Sequence, residues 1–303
     1  MASGRPTWCF ARCSRERARG GPCHDPLAGA LAPGGWTTPE VPAFSGQHPD
    51  IDPFVSPDGR HLYFSSIRPL DGSPRQVVDL WRVERRGGAW GPPERLPVSS
   101  DLDDLYPSVD RDGRLYFGRP LPEPERTGAW GIWVAEPRGE GGAAGGEWGP
   151  PTALPPRVNA PGWWSFNPEI SPDGSTLFFT RLNPGDAAAA AFGEIHRAIR
   201  AGGEWGPPEA LPTHVNTPAD EFHPSLSPDG CTLYFVRRDP ANAEARGRLM
   251  AAALDEGEGC PTRAPLRSEL DHRHPDHDQE KVREDVGDPR PGAQGIGNGG
   301  EPE

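Results

Sequence analysis

The chain of 303 residues contains no apolar run of about 18 residues, so it holds no candidate transmembrane helix. It lacks a basic stripe with interleaved aromatics, which argues against a nucleic-acid partner. Its formal net charge is −13, a balance that mainly supports solubility. Cysteine is scarce and odd in number. Cys9, Cys13, Cys23, Cys231 and Cys260 form no closed disulfide framework, and Cys9, Cys13, Cys23 and His24 offer zinc-type ligands without C-x-x-C pairing. The signatures G-x-S-x-G, H-E-x-x-H and the P-loop are absent. A G-x-G-x-x-G string at residues 295–300 follows no strand and opens no helix, so it reflects composition. A secretory signal would need an apolar core of roughly 7–15 residues; residues 27–32 are the only candidate and are too short.

What the chain does have is glycine and proline in quantity, 39 and 40 residues, together about a quarter of it and near the level of disordered chains. They fall at repeating positions. Residues 222–235 read F-H-P-S-L-S-P-D-G-C-T-L-Y-F, and three relatives of this string start at Pro53, Pro107 and Pro168. The turn glycines Gly59, Gly113, Gly174 and Gly230 are 54, 61 and 56 residues apart, the spacing of a supersecondary unit. Asp-Gly between apolar runs predicts a β-hairpin. Pro presets φ, Asp bonds its own backbone and Gly accepts positive φ. The second strand reads Leu62-Tyr63-Phe64, Leu115-Tyr116-Phe117, Leu177-Phe178-Phe179 and Leu233-Tyr234-Phe235. Period two places Leu and Phe on one face and the middle ring on the other, so each sheet must be covered on both sides, as in the stacked blades of a propeller.

The rest of the unit recurs too. A third strand contains Leu80-Trp81, Ile132-Trp133, Ile195-His196 and, more faintly, Leu249-Met250. A fourth segment reads Trp-Gly-Pro-Pro at Trp90, Trp148 and Trp205. Proline cannot donate to a ladder, which places this segment at the outer edge of the blade. It also blunts that edge against aggregation. The series Ser-Pro-Asp-Gly, Leu-Tyr-Phe, Asp-Leu-Trp-x-Val and Trp-Gly-Pro-Pro-x-x-Leu resembles the TolB-type (WD-like) β-propeller repeat. The resemblance covers residues 36–254. It implies a non-catalytic module that binds a protein or peptide partner in the cell envelope, in an extracytoplasmic compartment, although no signal peptide is visible. It carries no cofactor with it, and a monomer is expected.

The expected architecture is therefore all-β: a propeller of four-stranded blades at residues 33–265, with blades near 48–97, 101–155, 160–212 and 217–265. Residues 1–32 read as a disordered lead or as sequence upstream of a mis-assigned start. Residues 266–303 are an acidic, Gly- and Pro-rich tail that cannot bury enough surface to fold. Residues 36–41 resemble an outer strand without a blade of its own, and are expected to close the ring by completing the fourth blade. A partial propeller is the alternative to a closed four-blade ring.

The candidate ligand site is the channel mouth. The residues immediately before the repeat proline are Asp52, Tyr106, Asn167 and His223; those three before it are Asp50, Asp104, Ser165 and Glu221. Symmetry brings them around one end of the channel, where loops on a rigid scaffold commonly bind. The bland alternative is that the acids cap turns and hold neighbouring blades together. Asp58, Asp112, Asp173 and Asp229 stabilise their turns; a calcium loop needs more oxygen ligands than each turn offers. Three histidines and three aspartates in residues 271–278 are suited only to adventitious metal binding. Trp90, Trp148 and Trp205 recur and read as inter-blade packing, whereas Trp164 beside Trp163 breaks the repeat and is a candidate for stacking on a ligand. The rival reading is a propeller hydrolase or lactonase with a metal held by Asp52, Asn167, His223 and Glu221; the absence of enzyme motifs favours the binding module.

Overall fold

The computed structural model describes residues 7–11, 26–32, 35–36, 41–73, 75–122, 129–138, 147–185, 193–239 and 247–254, with the backbone alone for the first three stretches. All regular elements among them are strands. Three come from the N-terminal region, β1 (Thr7–Ala11), β2 (Pro26–Ala32) and β3 (Gly35–Trp36). The first repeat builds β4 (Asp50–Val55), β5 (His61–Ser66), β6 (Asp79–Arg86), β7 (Ala89–Trp90) and β8 (Glu94–Arg95). The second builds β9 (Leu105–Val109), β10 (Leu115–Pro120), β11 (Trp130–Ala135) and β12 (Thr152–Ala153). The third builds β13 (Trp164–Ile170), β14 (Thr176–Leu182), β15 (Glu194–Ala201), β16 (Glu204–Trp205) and β17 (Glu209–Ala210). The fourth builds β18 (Asp220–Leu226), β19 (Thr232–Arg238) and β20 (Arg248–Ala253). Each repeat forms its own antiparallel sheet in sequence order, and the four sheets are the blades of a β-propeller. No described helix is long and apolar enough to cross a membrane.

The hairpins follow from the turn chemistry. The Ser56 hydroxyl accepts the His61 N–H at 2.9 Å and donates to the Asp58 carboxylate, which also accepts the Arg60 N–H. Gly59 sits at φ 71°, where a side chain would be strained. The third and fourth blades repeat this pattern through Ser171–Asp173 and Ser227–Asp229. In the second blade Asp110 replaces the serine and accepts the Arg114 N–H and guanidinium. These aspartates are turn-stabilising groups. Burial acts to raise the Asp58 and Asp173 pKa values, but the hydroxyl and N–H donors hold both below the usual carboxylate range.

The core lies between blades. Tyr63 of the first blade packs with Val109, Leu115, Phe117 and Trp148 of the second. Tyr116 of the second packs with Ile170, Leu177, Phe179 and Trp205 of the third. Phe178 of the third packs with Leu226, Leu233 and Phe235 of the fourth. The middle ring thus faces forward and the Leu/Phe pair backward, as the period-two pattern requires. Trp148 and Trp205 meet the preceding blade's Tyr63 and Tyr116 edge-on, at 6.3 and 6.2 Å between ring centroids. The Trp148 indole N–H donates to the Gly113 carbonyl. These two recurring tryptophans are inter-blade packing groups.

One expectation is corrected. Gly35–Trp36 pairs with β2, so among the described residues this segment belongs to an N-terminal sheet, order β1-β2-β3; it does not complete the fourth blade. Strands β1 and β2 lie within residues 1–32, and β1 lies beside β4. The outer edge is more broken than a simple strand: in the first and third blades it splits into two short pieces on either side of Gly-Pro-Pro, because two consecutive prolines supply no N–H to the ladder. The His/Asp-rich stretch, Cys9, Cys13, Cys23 and residues 259–303 lie outside the residues whose side chains are described.

Candidate functional site

Each blade's innermost strand carries a β-bulge at the same place. Pairing jumps from Ile51↔Ser65 to Phe54↔Tyr63 in the first blade, and from Phe166↔Thr180 to Glu169↔Phe178 in the third. The second and fourth blades skip one residue in the same way. The residue before the proline takes up the bulge in the left-handed region: Asp52 at φ 53°, Tyr106 at 60°, Asn167 at 51° and His223 at 53°. Four of the five non-glycine residues with positive φ are these. Such a conformation costs roughly 1–3 kcal/mol and is held only where the surroundings enforce it. Asp, Asn and His tolerate it better than tyrosine does. A bulge re-aims a side chain, and here it turns one residue per blade toward the axis.

The four side chains meet. The His223 Nδ1 lies 3.9 Å from an Asp52 carboxylate oxygen and 3.5 Å from the Asn167 amide nitrogen. The Tyr106 ring meets the His223 ring edge-on at 5.4 Å. Phe166 and Phe222, each preceding an axial residue, add an aromatic collar: Phe166 is 6.4 Å from Tyr106 and Phe222 is 5.2 Å from His223. These two were missed in the sequence, although an apolar residue precedes the axial position in every copy (Ile51, Leu105, Phe166, Phe222).

The electrostatics are unusual for so polar a cluster. Burial raises the Asp52 pKa to about 7, against the opposing hydrogen bonds from Ser65 and the Tyr106 N–H. Enclosure by the inner strands lowers the His223 pKa to about 4. His223 nonetheless keeps 40% of its side-chain surface open, so water in the lumen moderates that shift. Tyr106 is pushed well above the usual phenol range, first by burial and then by the Asp52 charge. At neutral pH the imidazole is therefore uncharged, and Asp52 is poised between its two forms. Two buried acceptors, Asp52 Oδ2 and Asn167 Oδ1, have no hydrogen-bond partner among the described residues. An unpaired buried acceptor costs about 1–3 kcal/mol, and an incoming donor recovers that.

The residues three before the proline have a different role. Asp50 is clamped by Arg68, Asp104 by Arg119 and Glu221 by Arg237, with Nε–O distances of 3.0, 2.5 and 2.8 Å. Asp104 and Glu221 lie opposite their arginines across the hairpin, whereas Asp50 lies opposite Ser66 and is reached by Arg68 from just beyond β5; all three acids are buried. Asp104 and Glu221 also accept the N–H of the residue four earlier, Ser100 and Thr217. These acids lock the loop entering the blade to its second strand. Trp164 starts β13 opposite Leu182 and is half-buried; its neighbour Trp163 lies under the Arg181 guanidinium, 4.5 Å from ring centroid to Cζ. No group of three or more His, Cys, Asp or Glu side chains suited to a metal ion occurs among the described residues.

No family model matches the chain, and no curated protein does. Solved structures do. A putative TolB from Agrobacterium tumefaciens is 17% identical, with a TM-score of 0.49 over 75% of this chain and 70% of that one. TolB from Acinetobacter baumannii is 16% identical with a TM-score of 0.47, and the chain spans 46% of its length. The arabinanase Arb43A of Bacillus subtilis is 12% identical with a TM-score of 0.50, over 78% of this chain and 88% of that one. At these identities the likeness is one of fold alone, and the fold is that of a four-bladed β-propeller.

Proposed function

We propose that this chain is a non-catalytic binding module that takes a protein or peptide partner at the axial ring of Asp52, Tyr106, Asn167 and His223. The supporting observation is the pair of buried, unpartnered acceptors Asp52 Oδ2 and Asn167 Oδ1 inside an aromatic collar. Acceptors that lack donors, beside an acid poised to ionise and rings that favour cations, suit a lysine, an arginine or an amino terminus. Cys231 is disulfide-bonded, which supports an oxidising, extracytoplasmic compartment. The test is fluorescence polarisation with peptide pools differing in basic content. Basic peptides are expected to bind wild type and to lose at least tenfold in affinity to Asp52→Asn, which keeps the shape and removes the charge. Equal binding of both proteins would refute the proposal.

A second reading, a hydrolase or lactonase with a metal in the channel, draws on the 3.9 Å approach of His223 to Asp52. Glu221, one of its expected ligands, is committed to Arg237. A divalent-metal-dependent rise in melting temperature, lost in the Asp52→Ala/His223→Ala double variant, would favour it.

A further inference from the structure

The clamp arginine of the third blade has lost its acid. Arg119 and Arg237 sit opposite Asp104 and Glu221 across their hairpins, and Arg181 sits opposite Ser165. In the three intact clamps Nε donates to the carboxylate, and a terminal nitrogen donates to a loop carbonyl: Phe44 for Arg68, Val98 for Arg119, Val215 for Arg237. In the third blade the carboxylate is absent and the loop carbonyl is engaged by another donor. Ser165 has no carboxylate, and its hydroxyl donates to the Val158 carbonyl at 3.0 Å. The N–H that the acid would cap is missing too, because position 161 is proline.

Arg181 remains without either of the clamp's two acceptors. Its Nε is buried with no hydrogen-bond partner, and desolvation alone lowers its pKa, with no opposing carboxylate. Glu194, paired with it in strand register, is exposed and forms no ion pair with it. The guanidinium lies over the half-buried Trp163, which holds its plane; Nε is shut in, and the two terminal nitrogens, which are not among the buried unpartnered atoms, form the edge left for a bidentate contact. His196, which also feels the Arg181 charge, is held neutral mainly by burial, with its pKa lowered to about 4.

We propose that Arg181, stacked on Trp163, is a carboxylate-binding site: a ligand supplies in trans the acid that the other three blades carry in cis. This site is distinct from the axial ring and rests on none of its residues. The ligand is a carboxylate on an acidic side chain or a peptide C-terminus, which forms two parallel bonds to a guanidinium.

The experiment uses the full chain labelled with ¹⁵N. The arginine Nε–Hε resonances are followed as sodium acetate replaces sodium chloride at constant ionic strength. The Arg181 signal, identified by its loss in Arg181→Lys, is expected to move downfield and saturate in the millimolar range, while those of Arg68, Arg119 and Arg237 stay fixed. Ser165→Asp restores the acid in cis, so it is expected to shift the Arg181 signal without ligand and to abolish the acetate response. An acidic peptide tested with free and amidated C-termini identifies the source: a tenfold loss on amidation marks the terminus, and equal binding marks the side chain. An Arg181 signal that ignores acetate, or that still responds fully in a folded Ser165→Asp protein, overturns the proposal. The wild-type titration decides the matter if that variant fails to fold.

Discussion

Glu169 permits a quantitative test of how the inner strands are joined. It follows the repeat proline in β13, is buried, and accepts the Leu226 N–H of the fourth blade at 2.8 Å. Ser108 makes the same bond to Ile170 one blade earlier, also at 2.8 Å. A serine makes this bond uncharged, whereas a carboxylate must be taken out of water. Burial therefore raises the Glu169 pKa from 4.5 to about 8, against the lowering effect of the single N–H. The folded chain keeps this proton to about pH 8, while the unfolded chain releases it near 4.5. Stability is fully present below 4.5 and falls as pH rises toward 8, by up to about 5 kcal/mol at about 1.4 kcal/mol per pH unit. Glu169→Gln keeps the shape and the acceptor but cannot ionise. Urea unfolding is expected to show it close to wild type at pH 4.5 and more stable by roughly 3–5 kcal/mol at pH 8.5. A variant that is destabilised equally at both pH values, or unchanged at both, would refute the reasoning.

Asp52 has the same sign with a folded pKa of about 7, so Asp52→Asn should gain stability relative to wild type above pH 7 and not at pH 4, in the same assay that tests peptide binding. Asp104→Ala leaves Arg119 buried and unpaired and should cost about 3–5 kcal/mol, whereas Ser165→Ala at the corresponding site should cost about 1 kcal/mol; urea midpoints compare the two. Asn159→Ala removes bonds to the Ile132 N–H, the Ile132 carbonyl and the Leu154 carbonyl, and should cost about 2–4 kcal/mol. Asn216→Ala should match it, since Asn216 makes the same three bonds to Ile195 and Leu211. Reduction with dithiothreitol should destabilise wild type by about 2–4 kcal/mol and leave Cys231→Ser unaffected, read as the change in melting temperature.

Much of the fold was legible in the sequence because the repeat states it several times over. The Asp-Gly turns and the Leu-aromatic-Phe strands could each be checked against three other copies; period two puts the middle ring on the face opposite Leu and Phe, and the structure shows that for Tyr63 this face meets the second blade. The N-terminal sheet was not legible, because it has no second copy. Residues 36–41 look like an outer strand, and only the pairing of Gly35–Trp36 with β2 shows which sheet that segment joins. The tryptophans were readable for the opposite reason. A residue that recurs at one blade position has a scaffold role, as Trp148 and Trp205 do, and Trp163, which does not recur, ends beneath the one clamp arginine without an acid.

The candidate site was half legible, and the bulge explains which half. In a regular strand the residues one and three before the proline share a face, so Asp52 with Asp50, or His223 with Glu221, would converge on the channel together. The extra residue breaks that parity. It turns Asp52, Tyr106, Asn167 and His223 to the axis through left-handed backbone and leaves Asp104 and Glu221 facing their arginines across the hairpin, with Asp50 clamped by Arg68 from just beyond β5. Nothing in the proline itself announces a bulge, since a residue before proline is ordinarily extended. The clue lay in variability. The acid-or-serine position is nearly uniform among blades because every blade must lock its entry loop. The axial position reads Asp, Tyr, Asn and His because four different groups around one axis make an asymmetric surface. Ring closure alone does not account for two buried acceptor atoms of that ring, Asp52 Oδ2 and Asn167 Oδ1, that lack a donor among the described residues.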